Sequence, residues 1–438
     1  MVYFLLITPV SLFLRLVGRD LLAAPGTSSV STWVIKPRES EPEMVRRQFT
    51  VEPGMLAGRR RGPGARARFF VMVTVRAAVL LVALDLVVGT AYMHVRSDPE
   101  DRYYDALAST AALVDDKWAV DYFREFRNLE VDWRPLLGMV PEDHKGKYIN
   151  IGQGARTTYS AAGVKEDATS VYFFGGSTTW GLGQRDQYTI PSYVAELAEE
   201  EGVPVRVSNY GQPGWGIWQE LLLLQQLLAK GNVPDVAVFY DGHNDVGLQV
   251  QEIATDPSYP RAKLVREAVK RERKRGSFSG LMGSFTSLYR APPAEGVFGK
   301  PRSMVARVAM YFSARRSRPA PTPELTQARA HNAVTLHNRA VGVIRRLSET
   351  YGFEAVFIWQ PNAYTTAGDD AAQFASRGRE NFGPAYLAAT ELVGPPVIDL
   401  SDSLDGVKDS VFFDHVHTNE LGAASVAQAI YPHLRLER

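Results

Sequence analysis

Between residues 168 and 245 the hydrophobic pattern keeps changing its period, and that alternation leaves the chain few architectures. Three apolar runs, 170–174 (SVYFF), 205–208 (VRVS) and 236–240 (VAVFY), are four or five residues long. Each is followed by glycine, asparagine or other turn-forming residues, and helical periodicity fills 190–201 and 218–230 between them. Two further short runs, 355–359 and 396–400, each follow a helical stretch. Short strands alternating with helices predict a parallel sheet covered on both faces, a three-layer α/β/α domain. In such sheets ligands bind outside the carboxyl ends of the strands. That rule singles out Ser177, residues 209–214 and residues 242–245.

The residues at those ends suggest nucleophilic chemistry. Gly175-Gly176-Ser177 alone is weak, because serine after glycine in a strand-to-helix turn often only caps the helix. It also differs from the G-x-S-x-G elbow, since Thr179 stands at the second glycine position. A serine hydroxyl attacks well only when a base takes its proton. Asp414-His-Val-His417 near the C-terminus supplies one: His417 as base, with Asp414 three residues earlier to hold the imidazole tautomer. His415 and His417 also form an i, i+2 pair that could bind a metal, but no third ligand with suitable spacing is visible. The chain has no cysteine, so a catalytic thiol, a thiolate metal site and a disulfide framework are all excluded.

Four blocks in order, Gly-Ser177, Asn209-Tyr-Gly-Gln-Pro-Gly214, Gly242-His-Asn244-Asp and Asp414-His-Val-His417, resemble the SGNH (GDSL-type) serine hydrolase superfamily over about residues 165–435. The resemblance implies a flavodoxin-like α/β/α fold and no cofactor or metal. It also implies an oxyanion hole built from the Ser177 N–H, the Gly214 N–H and the Asn244 side-chain amide. Gly211 is the alternative to Gly214, and Asn244 could instead bond its own turn. His243 and His415 are expected to shape turns near the site. Trp180, Trp215 and Trp218 could stack on a sugar or pack in the core. Residues 148–159 (YINIGQGARTTY) resemble the lead-in of membrane-anchored members, and Arg156 there could reach the site or anchor the turn.

Residues 69–93 are 25 mostly apolar residues, long enough as a helix to cross a hydrocarbon core of about 30 Å. A buried helix of a soluble domain is the alternative. Arg59, Arg60, Arg61, Arg66 and Arg68 precede the segment, whereas Arg96, Asp98, Glu100 and Asp101 follow it. The positive-inside bias puts the N-terminal flank in the cytoplasm and the catalytic domain outside a bacterial-type cell membrane. Residues 1–49 (LLITPVSLFLRLVGRDLL, STWV, MVRRQF) resemble the C-terminal end of the small membrane protein family named after saxitoxin biosynthesis. Residues 50–68 read as a basic Gly/Arg linker and 95–165 as a lead-in to a hydrolase domain at 166–438.

Forty-nine basic against 48 acidic residues hide an uneven distribution: 246–330 carry 16 basic and 6 acidic residues. Within this insertion, 261–275 could form a basic helix that is solvated or meets anionic lipid or an acidic glycan. Nucleic acid is not an expected partner. The expected activity is hydrolysis of an O-acyl ester, such as an O-acetyl group, on a glycan or exported small product. An O-acyltransferase using the same Ser-His-Asp set and a non-catalytic scaffold docking through the insertion are the rivals.

Overall fold

A computed structural model describes residues 63–95, 99–164, 168–251, 321–368, 374 and 382–436. The resemblance over 1–49 and the basic helix at 261–275 lie outside the described residues, as does most of the insertion. The chain divides into two units, 1–80 and 81–438.

Helix α1 (Pro63–Val95) runs for 33 residues, and its stretch from Met72 to Gly89 is long and apolar enough to cross a membrane. Val73, Val79, Leu81, Leu84 and Val87 are all exposed on it. The helix starts earlier than residue 69, so the last part of the expected linker is helical. Proline at its first position fits, because the missing N–H has no intrahelical partner there.

The second unit continues with α2 (Pro99–Ala108), α3 (Ala119–Arg127) and a hairpin of β1 (Val131–Arg134) and β2 (Gly138–Pro141). Three very short strands follow: β3 (His144–Lys145), β4 (Asn150–Gly152) and β5 (Ala155–Arg156). Then come β6 (Thr169–Gly175), α4 (Ser177–Trp180), α5 (Ile190–Glu200), β7 (Val205–Asn209), α6 (Ile217–Ala229), β8 (Val236–Asp241) and α7 (His243–Gln251). The chain closes with α8 (Pro323–Tyr351), β9 (Glu354–Trp359), α9 (Gly383–Thr390), β10 (Val397–Asp399) and α10 (Glu420–Ile430).

The main sheet has the order β10-β9-β8-β6-β7-β5-β4-β3. The first five strands are parallel, as the periodicity predicts. The last three pair antiparallel. The lead-in is therefore not separate from the sheet domain: residues 144–156 extend the sheet beyond β7, and a boundary at 166 cuts through it. Strands of two or three residues carry no period, which is why the sequence does not announce them.

Alternation along the central strands splits the core in two. Val171, Phe173, Val236, Val238, Val356 and Ile358 face α5 and α10. Phe174, Ala237, Phe239, Phe357 and Trp359 face α6, α8 and α9. Adjacent rings on that second face stack, Phe174 on Phe239 at 4.9 Å and Phe239 on Phe357 at 5.5 Å, so the aromatic pairs lock the parallel register. A third cluster ties the lead-in to the strand ends, with Tyr122, Phe123, Ile149 and Ile151 against Trp180 and Phe413.

Candidate active site

Ser177 is the first residue of α4, directly after β6. Its N–H therefore has no intrahelical acceptor. The preceding Gly176 is required by close packing: a Cβ there would collide with the Asn244 side-chain amide and lie 3.3 Å from the Trp215 carbonyl.

The loop after β7 approaches from one side. The Asn209 amide donates to the Thr179 carbonyl at 2.9 Å and its oxygen accepts from Gly211 N–H at 3.0 Å. The Gly211 donor is thereby occupied, whereas no hydrogen bond is recorded for the Gly214 N–H among the described residues. Close approach is not what requires glycine at 214, since a Cβ there would meet nothing. The requirement is a left-handed backbone, φ +81°. The reverse holds at Gly211, where a Cβ would strike the Trp180 backbone. On the other side, the Asn244 Nδ2 donates to the Trp215 carbonyl at 2.6 Å. That bond fixes the orientation of the amide and uses one of its two hydrogens.

The loop before α10 brings Asp414 and His417 to Ser177. Asp414 Oδ1 accepts from the backbone N–H of Val416 at 2.8 Å and of His417 at 2.7 Å. Its Oδ2 lies 2.7 Å from His417 Nδ1, and His417 Nε2 lies 2.7 Å from Ser177 Oγ. Burial alone would raise the Asp414 carboxyl. The adjacent His417 ring, its hydrogen bonds and His415 overcome that and hold it well below the usual carboxylate range. An ionised Asp414 only accepts, so His417 Nδ1 carries the proton and Nε2 is left to accept the Ser177 hydroxyl. The arrangement can take a proton from serine and hold the resulting imidazolium beside a buried carboxylate.

His415 Nε2 lies 3.3 Å from that of His243, whereas both ring nitrogens of His417 are engaged by Asp414 and Ser177. Trp180 and Trp215 are buried, and the partly buried Trp218 packs against the second core and donates to the Leu336 carbonyl. Arg156 anchors the turn behind the serine. It binds Asp186 at 2.8 Å and the carbonyls of Trp180, Gly181 and Gln184 at 2.6–2.8 Å, with its ring-facing guanidinium over Trp180.

Sequence reasoning missed a buried group beneath the site: Glu220, Asp241, Asp245 and His337. The available signal was a charged or imidazole side chain on an otherwise apolar helical stripe, Glu220 among Ile217, Leu221 and Leu224, and His337 among Val334, Ala340 and Val341.

No family model matches the sequence, and no curated protein matches it. Among solved structures, an acetyl xylan esterase is similar at 13% identity and a TM-score of 0.33, over 60% of this chain and 99% of that one. A lipase/acylhydrolase from Enterococcus faecalis is similar at 16% identity and 0.30, over 62% and 99%. An acetylxylan esterase from Geobacillus stearothermophilus is similar at 12% identity and 0.32, over 62% and 98%.

Proposed function

We propose that the protein is an SGNH/GDSL-type serine esterase that hydrolyses an O-acyl ester, with Ser177 as nucleophile, His417 as general base and acid, and Asp414 as its orienting carboxylate. The observation that carries this reading is the continuous hydrogen-bonded relay Ser177 Oγ–His417 Nε2, His417 Nδ1–Asp414 Oδ2, with both spacings at 2.7 Å. As Ser177 Oγ bonds to the ester carbonyl carbon, its proton passes to His417 Nε2. The carbonyl oxygen gains the negative charge and is met by the Ser177 and Gly214 N–H groups and the Asn244 amide. Collapse breaks the bond to the alcohol oxygen, which takes the proton from His417, and leaves an acyl-serine. Water, deprotonated by His417, then releases the acid and restores the serine.

The substrate class within this reading is a short O-acyl group, first O-acetyl, on an envelope glycan or an exported small product. α1 anchors the enzyme in the membrane, with the arginine-rich flank in the cytoplasm and the esterase outside. The exposed apolar surface of α1 supports the anchor, and the flanking arginines support the orientation. Reporters fused at Gly26 and at Asp98 test it: activity of both on the same side of the membrane overturns the placement.

Fluorophosphonate labelling of the purified full chain in detergent, together with hydrolysis of a short-chain aryl ester, tests the chemistry. Labelling and turnover should be present in the wild type and absent in Ser177→Ala and His417→Ala. Labelling that persists in Ser177→Ala, or a folded wild type that neither labels nor turns over, overturns it.

A further inference from the structure

We propose that Glu220, Asp241, Asp245 and His337 form a buried proton-sharing network that positions the oxyanion donors, with one proton held between the carboxyl groups of Glu220 and Asp241. The positioning half of this proposal rests on the esterase reading; the shared proton does not.

The four side chains come from four elements, α6, β8, α7 and α8, and are 0%, 3%, 6% and 2% exposed. Among the described residues, both Glu220 carboxyl oxygens, Asp241 Oδ2, Asp245 Oδ2 and both His337 ring nitrogens are buried without a hydrogen-bond partner. Glu220 and Asp241 act on one another as neighbouring buried carboxyls, and His337 Nδ1 lies 3.9 Å from Asp245 Oδ2. Two facing carboxylates have four acceptor oxygens and no donor between them. A single retained proton supplies the donor and removes one of two like charges from a site without water-like screening. Burial raises both Glu220 and Asp241, and neighbouring carboxylates add to each, which agrees with the geometry. On His337, burial acts to lower the proton affinity, but Asp245 and Asp241 outweigh it and the net direction is upward. Tyr386 of α9 also feels both aspartates, and its hydroxyl donates to the Gln360 carbonyl.

The network sits under the site. A Cβ on Gly216 would lie 3.1 Å from Asp245 Oδ1, so this carboxyl underlies the 214–216 loop. The neighbouring Trp215 carbonyl takes the Asn244 amide bond. Asn244 adjoins Asp245, and Glu220 stands in the first turn after that loop. Full ionisation would place repelling charges between the loop that carries Gly214 and the helix that carries Asn244.

The sign follows from linkage. Carboxyls that bind protons more tightly in the folded state contribute stability that is full below the ordinary carboxylate range. It is lost as pH rises from there towards and through neutrality. Thermal unfolding of the full chain in detergent from pH 5 to pH 8 reads this without any activity. The wild-type Tm should fall across the range, and Glu220→Gln and Asp241→Asn should each fall less. Parallel Tm curves for wild type and both variants overturn the shared proton. For positioning, the alkaline decline of kcat on an aryl ester should be lost in Glu220→Gln, which has no shared proton to release, with KM unchanged. A Tm difference with an unmoved kcat profile overturns the positioning role. If the wild type fails to label with fluorophosphonate at any pH, the esterase reading and the positioning role fall together, and the Tm curves still decide the network.

Discussion

Replacing Arg156 by methionine keeps most of the stem volume and removes the charge that joins the lead-in to the back of α4. The Arg156 side chain is fully buried, and Asp186 is 7% exposed. The guanidinium donates to Asp186 and to the carbonyls of Trp180, Gly181 and Gln184, with a long fifth bond to Tyr148 at 3.5 Å. Adding those bonds singly would overshoot, because each replaces a bond to water. The relevant figure is the cost of leaving one partner of a buried pair behind, about 3–5 kcal/mol. Asp186 would retain the Asn150 amide at 2.8 Å. Burial already raises its carboxyl despite Arg156, so it can take up a proton and keep the loss from rising further. In urea, with m near about 3 kcal/mol/M, the midpoint of the full chain in detergent should drop by roughly 1–1.7 M. Arg156→Lys should fall between, since an ammonium keeps the charge but cannot fork to several carbonyls. The double variant Arg156→Met/Asp186→Asn should lose less than the sum of its singles. A loss below about 1 kcal/mol for Arg156→Met would refute the claim that this buried fork holds the lead-in to the sheet domain.

Asn244→Ala removes the only side-chain donor assigned to the oxyanion and also frees the Trp215 carbonyl. We expect kcat to fall by about 10²–10³ with little change in KM, measured by steady-state hydrolysis of an aryl ester. Asp414→Asn should lower kcat by about 10⁴, because the amide favours the wrong imidazole tautomer. Since the folded-state affinity of Asp414 for protons is depressed, its contribution to stability is present above the ordinary aspartate range and lost as pH falls below about 4. The variant should lack that acid-side dependence in its Tm curve.

How much of this was legible in the sequence depended on length and period. The run 170–174 became β6 (Thr169–Gly175), 205–208 became β7 (Val205–Asn209) and 236–240 became β8 (Val236–Asp241), because short β-branched or aromatic runs between turn formers leave little choice. Ser177, Asn244, Asp414 and His417 stood out because each occupies a strand end or a loop whose spacing has a chemical meaning. Arg156 was singled out with two readings open, reaching the site or anchoring the turn, because its acceptors are mostly main-chain carbonyls and only the fold decides which of them converge. Gly211 and Gly214 read alike in the sequence, since a one-letter code does not distinguish a crowded glycine from a left-handed one. The linker at 50–68 looked irregular through its glycines and prolines, yet Pro63 begins a helix, where proline costs nothing.

The sheet order explains how three separate loops can serve one oxygen in the proposed mechanism. β6 lies between β7 and β8, so the strand that delivers Ser177 is flanked by the two that deliver Gly214 and Asn244. Gly175 pairs with Tyr240, which brings the β6 and β8 ends nearly level. By contrast Asn209, the last residue of β7, pairs with Phe173, two positions short of Gly175. At about 3.3 Å per residue, the loop after β7 must climb roughly 7 Å to draw level with Gly175 at the end of β6. It does so along the edge of β6: Tyr210 N–H donates to the Phe173 carbonyl at 2.8 Å and Gln212 N–H to the Gly175 carbonyl at 2.9 Å. That climb takes it past the Trp180 backbone, where only glycine fits at 211, before the chain reverses through a left-handed residue at 214. The two glycines of Asn209-Tyr-Gly-Gln-Pro-Gly214 therefore answer two different demands of one offset in strand register.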